Sequence, residues 1–148
     1  MLLHAPWGGR EILDGGRVLD VFAGTGAFGL EALSRGAAHA TFVEYDRAAL
    51  AVLTANIAAC EANNRATVLP IDALAIPPGH PADLIFLDPP YRQDLVSRVV
   101  ARLIAVQRIA PRALLIAETA RDELPPATDV LAERIYGAAR ISIWHAGL

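Results

Sequence analysis

Short apolar runs rich in β-branched residues alternate along the chain with longer segments of helical periodicity. Five of the runs predict buried β-strands, at residues 17–22, 40–44, 67–71, 84–87 and 113–117. Pro70 marks the third as an edge or weak strand, because proline cannot donate a hydrogen bond to a neighbouring strand. The segments between them predict helices at residues 27–35, ending at Gly36, at 47–62, and at 94–109, stopped before Pro111.

Strands that alternate with helices form a mostly parallel sheet, because each helix returns the chain to the edge where the next strand begins. The end of the chain differs, since residues 130–136 and 139–145 predict two strands around a tight turn at Gly137. We therefore expect one α/β domain over residues 1–148, with a seven-stranded, mostly parallel sheet that finishes in an antiparallel hairpin. The proline-containing segments 77–81 and 124–126 are expected to be loops.

Composition narrows the class of protein. The 148 residues are 54% hydrophobic and 20% charged, which permits a sizeable core and excludes a disordered chain. The net charge of −3 argues against a chain that binds nucleic acid by bulk charge alone. No apolar run is long enough to span a bilayer and the N-terminus does not resemble a signal peptide, so we expect a cytoplasmic protein without membrane attachment. We also expect a monomer.

The cysteine and the histidines indicate neither a disulfide, nor a nucleophile, nor a metal site. Cys60, the single cysteine, cannot form an internal disulfide, which fits a reducing compartment. It lies in the second predicted helix with no histidine or aspartate partner nearby in sequence, so we expect a small buried hydrophobe rather than a nucleophile. The four histidines show no metal-ligand spacing, and we predict no metal. Trp7 and Trp144 are expected to be packing residues.

A glycine-rich segment follows the first predicted strand and opens the first predicted helix. Its sequence, DVFAGTGAFG from Asp20 to Gly29, contains the pattern GxGxxG beginning at Gly24. Glycines let the backbone turn sharply and approach a ligand closely, and the helix start supplies free N–H groups. The pattern is a weak signal by itself, because it also permits a nicotinamide dinucleotide.

Three acidic residues follow successive predicted strands, on the side where open α/β sheets bind ligands. Glu44 ends the second strand, where a carboxylate can accept hydrogen bonds from ribose hydroxyls. Asp20, near the end of the first strand, can meet a cationic amino-acid group, which S-adenosylmethionine carries and NAD lacks. Asp72, just past the third strand, can bind an adenine amine. The alternative is that these residues are helix or turn caps and a solvated strand end.

The most specific feature is Asp88-Pro89-Pro90-Tyr91, directly after the apolar run 84–87. An amine on a nucleic-acid base is a poor nucleophile because its lone pair is delocalised into the ring. The Asp88 carboxylate and the Pro89 carbonyl can accept its two N–H groups and favour the pyramidal nitrogen that attacks a methyl group. The prolines stiffen the turn, and Tyr91 offers a ring on which an unstacked base can lie. The alternative is a proline-rich strand exit with Tyr91 covering the end of the sheet.

These residues together resemble a Rossmann-like class I methyltransferase that acts on an amino nitrogen. The stretch VLDVFAGTGAFGLEALSRGAAHATFVEYDRAAL (18–50) and the segment LIFLDPPY (84–91) are similar to bacterial enzymes that methylate N2 of a guanine in small-subunit (16S) ribosomal RNA. The resemblance implies S-adenosyl-L-methionine as cofactor, and ribosomal RNA or a small-subunit assembly intermediate as substrate. It implies cofactor contacts at Asp20, Gly24, Gly26, Glu44 and Asp72, to which we add the neighbours Ala23 and Ala73, and catalytic contacts at Asp88, Pro89 and Tyr91.

Members of this family usually carry an N-terminal β-hairpin and a helix rich in arginine and glutamate before the first strand, whereas few residues precede Val18. Residues 2–7 resemble the end of that helix, so we expect the chain to lack much of the family's basic RNA-binding surface. Three alternatives stay open. They are a methyltransferase for adenine N6 or a protein glutamine amide, which Asn at position 88 would have favoured, a nicotinamide-dependent oxidoreductase, and a silent module without turnover.

Overall fold

The computed structural model describes residues 13–90, 94–123, 127 and 129–147 of the chain. Its strands are β1 Arg17–Val21, β2 His39–Val43, β3 Ala66–Leu69, β4 Ala82–Leu87, β5 Ile109–Ala120, β6 Ala132–Tyr136 and β7 Ala139–His145. Its helices are α1 Ala27–Ser34, α2 Arg47–Ala59 and α3 Leu95–Ala105, and 3₁₀ turns lie at Asn63–Arg65 and Ala73–Ala75. Trp7, Tyr91 and the loop expected at residues 124–126 lie outside the described residues.

The strands form one sheet in the order β3-β2-β1-β4-β5-β7-β6. The first five of these run parallel to one another, and β7 is antiparallel to both β5 and β6. The predicted seven-stranded, mostly parallel sheet with an antiparallel C-terminal hairpin is therefore confirmed. The prediction from Pro70 is confirmed as well, because β3 forms an edge of the sheet and ends at Leu69.

Helices cover both faces of the sheet. Leu19 of β1 packs in one apolar cluster with Leu103 of α3, whereas Val18 packs in a second cluster with Leu33 of α1 and Leu53 of α2. Neighbouring residues of one strand thus enter opposite clusters, as the two-residue period of a β-strand requires. Burial on both faces explains why the central strands are continuous apolar runs rather than alternating patterns.

The helices α1, α2 and α3 all end in the same hydrogen-bonded turn, the Schellman motif. In α3 the N–H of Arg108 donates to the carbonyl of Leu103 at 2.9 Å, and the intervening Gln107 is left-handed with φ 58°. The equivalent left-handed residues are Gly36 after α1 and Glu61 after α2, with φ of 112° and 54°. The motif favours glycine at this position, because a side chain there crowds the following carbonyl.

Two predicted helix ends are therefore wrong. The helix predicted for residues 47–62 ends at Ala59, and the one predicted for 94–109 ends at Ala105. In both cases a residue other than glycine closes the turn, so the sequence carries no stop signal at the point where the helix ends. Residues 109–112 instead extend β5 beyond the predicted 113–117, and Pro111 lies where the register between β4 and β5 shifts. Proline is tolerated there because the regular ladder is interrupted.

Of two smaller expectations, one is confirmed and the other is wrong. Trp144 is 7% exposed and packs in the core, as predicted. The expected burial of Cys60 is wrong, since the residue is exposed at the C-terminal cap of α2. Among the described residues, no helix has the length and apolar character that crossing a membrane requires.

The left-handed Gln107 generates a stability prediction. Its side chain is exposed, so Gln107→Gly removes the unfavourable backbone conformation without losing a buried contact. We expect the free energy of unfolding, measured by urea denaturation, to rise by about 0.5–1 kcal/mol, since the gain exceeds the added entropy of the unfolded chain. Gln107→Ala is the control and should not stabilise, because its Cβ keeps the same crowding. Equal effects of the two substitutions would contradict the explanation.

Candidate functional site

The carboxyl ends of the parallel strands bring the predicted acidic residues to one edge of the sheet. Asp20 lies in β1, Glu44 directly follows β2, and Asp88 directly follows β4. Because β1 pairs with both β2 and β4, these three carboxyl groups lie on neighbouring strands. Asp72 follows β3 at the edge of the sheet and lies farther along the same side.

The loop after β1 is held by its own backbone and by the loop after β2. Phe22 adopts a positive φ of 61°, an unusual conformation for a bulky residue, and Gly24 has φ 57°. The N–H of Ala23 donates to the carbonyl of Val43 at 2.9 Å, and the N–H of Gly26 donates to the carbonyl of Ala23 at 2.8 Å. The glycine loop is therefore a tight, fixed turn.

The three glycines of the loop have different physical roles. A Cβ on Gly24 would meet no atom within 4 Å, so this glycine borders open space and is required by its positive φ. A Cβ on Gly26 would overlap the side chain of Leu53, and one on Gly29 would overlap the ring of Phe42. The second and third glycines therefore let α1 and the loop pack closely against α2 and β2, and only the first faces a ligand-sized space.

Asp20 is a buried carboxyl group, 1% exposed, whose Oδ2 accepts a hydrogen bond from the N–H of Gly29 at 3.0 Å. Burial raises the pKa of Asp20 from 3.8 to about 8, and the Gly29 hydrogen bond offsets only part of that effect. The negative charges of Asp88 and Glu44 raise it further. A cationic ligand next to this carboxyl group would restore its ionised form.

Glu44 connects the first two strand ends. Its Oε1 accepts the N–H of Gly24 at 2.7 Å, and its Oε2 accepts the N–H groups of Tyr45 and Asp46, both at 2.9 Å. Three backbone donors thus satisfy one half-buried carboxylate and fix the glycine loop relative to β2. Its predicted contact with ribose hydroxyls stays a prediction.

Asp72 caps the short turn Ala73–Ala75, since its Oδ1 accepts the N–H of Leu74 at 2.9 Å. The capping role that the sequence left as an alternative is therefore present. Asp72 and Ala73 also line a cavity of about 410 Å³ together with Glu44, Tyr45 and Ile71. A cap and a ligand contact are compatible, because the cap uses only one of the two carboxylate oxygens.

The Asp88-Pro89-Pro90 corner closes the other side of the site. Asp88 is half-buried, Pro89 is buried and Pro90 is exposed, whereas Tyr91 lies outside the described residues. Burial is the largest cause that raises the pKa of Asp88 to about 7, and a hydrogen bond and the charge of Glu118 raise it as well. The predicted stacking by Tyr91 stays a prediction.

Glu118 is a site residue that the sequence interpretation missed. Ala117, the residue before it in β5, pairs with Leu87 at the end of β4, so Glu118 lies beside Asp88. Both line a cavity of about 480 Å³ with Phe22, Glu44, Pro89 and Pro90. A signal was available, because Glu118 directly follows the predicted strand 113–117, just as Asp88 follows the run 84–87.

Three adjoining cavities form one groove along this edge of the sheet. The third, of about 550 Å³, is lined by Asp20, the glycine loop, Phe28, Phe86 and Asp88. All three share Phe22, and Asp88 or Glu44 joins each to the next. Several Asp and Glu residues line the groove, whereas Arg98 is the only basic residue among the described lining residues. The groove is therefore strongly acidic. This charge fits a ligand that carries positive groups, and the described residues form no cluster suited to a metal ion.

The strand order and the acidic groove at the carboxyl ends of its central strands define a Rossmann-like class I methyltransferase fold, as predicted. The chain belongs to the family described as conserved hypothetical protein 95, whose profile matches residues 6–145.

Named relatives confirm the sequence resemblance. The chain is 40% identical over 115 residues to ribosomal RNA small subunit methyltransferase D of Escherichia coli, covering 76% of this chain and 57% of that protein. It is 34% identical over 140 residues to YlbH of Bacillus subtilis, a candidate rRNA methyltransferase, covering 88% of this chain and 76% of that protein. The solved structure of YhhF from Escherichia coli, a candidate methyltransferase, superimposes with TM-score 0.86 and 33% identity, covering 97% of this chain and 81% of that one. The chain thus spans little more than half the length of the first of these relatives.

The buried Asp20 generates a pH prediction. Its pKa of about 8 in the folded protein exceeds the value of about 3.9 in an unfolded chain, so the folded state binds the extra proton between these values. The free energy of unfolding should therefore fall as the pH rises from about 4 to about 8. We expect a shallower fall in Asp20→Asn, which has no proton to lose and keeps an oxygen for the N–H of Gly29.

Urea denaturation at stepped pH measures the slope. Asp88 contributes a slope of the same sign, which remains in the variant. The control is Asp14→Asn, because Asp14 is exposed and precedes β1 at the opposite edge of the sheet. It should keep the wild-type slope. Identical slopes in Asp20→Asn and wild type would show that Asp20 is ionised in the folded protein.

Proposed function

We propose that this chain transfers a methyl group from S-adenosyl-L-methionine to the exocyclic N2 amine of a guanine in small-subunit ribosomal RNA. The observation that carries the proposal is one connected acidic groove, with buried Asp20 in one part and the Asp88-Pro89 corner between that part and the next. A site for a cationic cofactor and a corner of amine acceptors thus adjoin each other. The similarity to ribosomal RNA small subunit methyltransferase D supports the substrate class.

The groove suggests how the cofactor is held. Asp20 is the partner for the cationic amino-acid end, because it is a buried carboxyl group beside the glycine loop of Ala23, Gly24 and Gly26. Glu44 lines both the middle cavity and the cavity that contains Asp72, and the ribose hydroxyls would bind there. Asp72 and Ala73 line the far cavity, which is assigned to the adenine.

The same geometry disfavours a dinucleotide cofactor. In dinucleotide-binding folds the glycine-loop amides and the helix N-terminus face a pyrophosphate. In this chain the N–H of Gly24 donates to Glu44 and the N–H of Gly29 donates to Asp20. Two of the amides are therefore taken by carboxyl groups, and the acidic groove would repel a pyrophosphate.

The Asp88 corner performs the activation of the amine in this proposal. The Asp88 carboxylate and the Pro89 carbonyl accept the two N–H groups, which favours a nitrogen whose lone pair points away from the base. When bound, the cofactor supplies an electrophilic methyl group on a sulfonium. The corner is fixed by proline and partly buried, so its dipoles are already oriented when positive charge develops on the nitrogen.

Cofactor choice is tested by isothermal titration with S-adenosylhomocysteine and, separately, NAD. We expect the wild type to bind S-adenosylhomocysteine and not NAD. In Asp20→Ala and Glu44→Ala the affinity for S-adenosylhomocysteine should fall about tenfold or more, because each variant loses a charged hydrogen-bond partner. Asp14→Ala, at the opposite edge of the sheet, should bind like wild type. Binding of NAD alone, or unchanged affinity in both variants, would refute the cofactor assignment.

The same titration reports the state of Asp20. Its pKa of about 8 means that Asp20 is largely protonated at pH 7 in the free protein, and a bound cation favours the ionised form. Wild type should therefore release close to one proton on binding at pH 7. Titration in buffers of different ionisation enthalpy measures this number, which should fall in Asp20→Asn.

Catalysis is tested with Asp88→Ala on small-subunit particles from a strain that lacks the methylation. We expect methyl transfer to fall by about a hundredfold or more, because one of two fixed acceptors is lost, while S-adenosylhomocysteine still binds. Asp14→Ala is again the control. Nucleoside analysis of wild-type product should give N2-methylguanosine. A methylated adenine would favour the alternative substrate, and Asp88→Ala turnover within tenfold of wild type would remove Asp88 from the mechanism.

A further inference from the structure

Asp88 and Glu118 form a pair of carboxyl groups that the proposed reaction does not yet explain. They lie side by side, Asp88 directly after β4 and Glu118 within the paired strand β5, and they line the same cavity. Their carboxyl groups interact directly, and this interaction raises the pKa of Asp88. An ionised carboxylate can only accept hydrogen bonds, so two adjacent carboxyl groups can bond to each other only when one of them holds a proton.

The surroundings favour retention of that proton. Burial disfavours two adjacent negative charges, and the charged groups facing the pair from neighbouring elements are mostly acidic. They are Asp20 in β1, Glu44 after β2, Glu31 in α1, which is paired with Arg35, and Arg98 in α3 at the far side of Pro90. None of the described residues that line the cavity shared by Asp88 and Glu118 is basic.

The proposed reaction needs a destination for a proton. When the amine nitrogen bonds to the methyl carbon, the carbon–sulfur bond breaks and its electron pair stays on sulfur, which becomes a neutral sulfide. The nitrogen then carries one hydrogen too many and must lose a proton. The corner that holds the two N–H groups is the nearest base in the proposed site.

We propose, on the basis of the proposed function, that Glu118 positions Asp88 through one shared proton, and that this pair accepts the proton that the methylated amine loses. Before transfer the pair carries one proton and a charge of −1, and the sulfonium carries +1. Afterwards the pair carries two protons, and both the pair and the sulfide are neutral, so atoms and charge balance. The pair returns to its first state by releasing one proton to solvent.

This arrangement gives the two carboxyl groups different roles. The shared proton lies between one oxygen of Asp88 and one oxygen of Glu118, which leaves the other oxygen of Asp88 to accept an N–H of the amine. Asp88 is the group that meets the substrate, whereas Glu118 acts through Asp88 and is a positioning residue. The prediction separates this role from a merely structural one, because a structural role would leave the titration of Asp88 unchanged.

The shared proton is tested first in the free protein, without cofactor or RNA, by NMR titration of the aspartate carboxyl carbons. In wild type we expect the Asp88 signal to titrate in two steps, with the upper step near pH 7. In Glu118→Gln the side chain can still donate to Asp88 but cannot titrate, so we expect a single step at a lower pH. Thr119→Val is the control, since its side chain points to the opposite face of β5, and it should titrate like wild type. Identical Asp88 titrations in wild type and Glu118→Gln would overturn the proposal.

The catalytic consequence is tested by single-turnover methyl transfer to small-subunit particles across pH. The wild-type rate should fall as the pH rises through the value at which the shared proton is lost. We expect Glu118→Gln to lack this fall between about pH 6 and 8 and to react about tenfold more slowly, and Glu118→Ala to react about a hundredfold more slowly. Partial rescue by Gln over Ala, with Thr119→Val like wild type, supports positioning. Equal rates in Glu118→Ala and wild type would overturn it.

The two proposals fail in different ways. If wild type binds S-adenosylhomocysteine but methylates no amine, the proposed function fails while the NMR titration still reports whether the proton is shared. If wild type forms N2-methylguanosine and Glu118→Ala matches its rate and pH profile, the proposed function stands and the role of Glu118 is refuted.

Discussion

Folding brings carboxyl groups from neighbouring strands to one edge of a parallel sheet, and the chain must offset the electrostatic repulsion between them. It does so in two ways. Backbone N–H groups donate to Asp20, Glu44 and Asp72, and the interaction with Glu118, together with burial, raises the pKa of Asp88 and so disfavours its charged form. Each device lowers repulsion locally but leaves the groove acidic, so the site is preorganised for a ligand that carries positive charge.

The same hydrogen bonds explain why the glycine loop is rigid. Glu44 fixes Gly24 to the end of β2, and Asp20 fixes Gly29 in the first turn of α1. Gly26 and Gly29 are needed for packing against Leu53 and Phe42, so most of the glycine pattern supports the architecture and only Gly24 borders the groove. A pattern usually attributed to ligand binding is thus mainly a packing requirement in this chain. The ligand preference comes instead from the carboxyl groups attached to the loop.

The differences between expectation and structure arise where the local sequence carries no signal or a misleading one. The helix end at Gly36 was predicted because glycine suits a left-handed turn, whereas Gln107 adopts the same conformation without that signal. The strand through Pro111 was missed because proline normally ends a ladder, and only the shifted register between β4 and β5 accommodates it. Glu118 was missed because its importance comes from Asp88, 30 residues earlier in the chain, on the neighbouring strand.

The sequence by itself determined the class of fold, the order of most elements and the positions of Asp20, Glu44, Asp72 and Asp88 at strand ends, because apolar periodicity and turn residues are local properties. It also determined the amine-binding hypothesis, since an Asp-Pro-Pro corner is rigid wherever it occurs. Only the tertiary structure decided the protonation of Asp20 and Asp88. Burial and the approach of one carboxyl group to another raise the pKa values of Asp20 and Asp88, and both effects arise only when separate strands lie side by side.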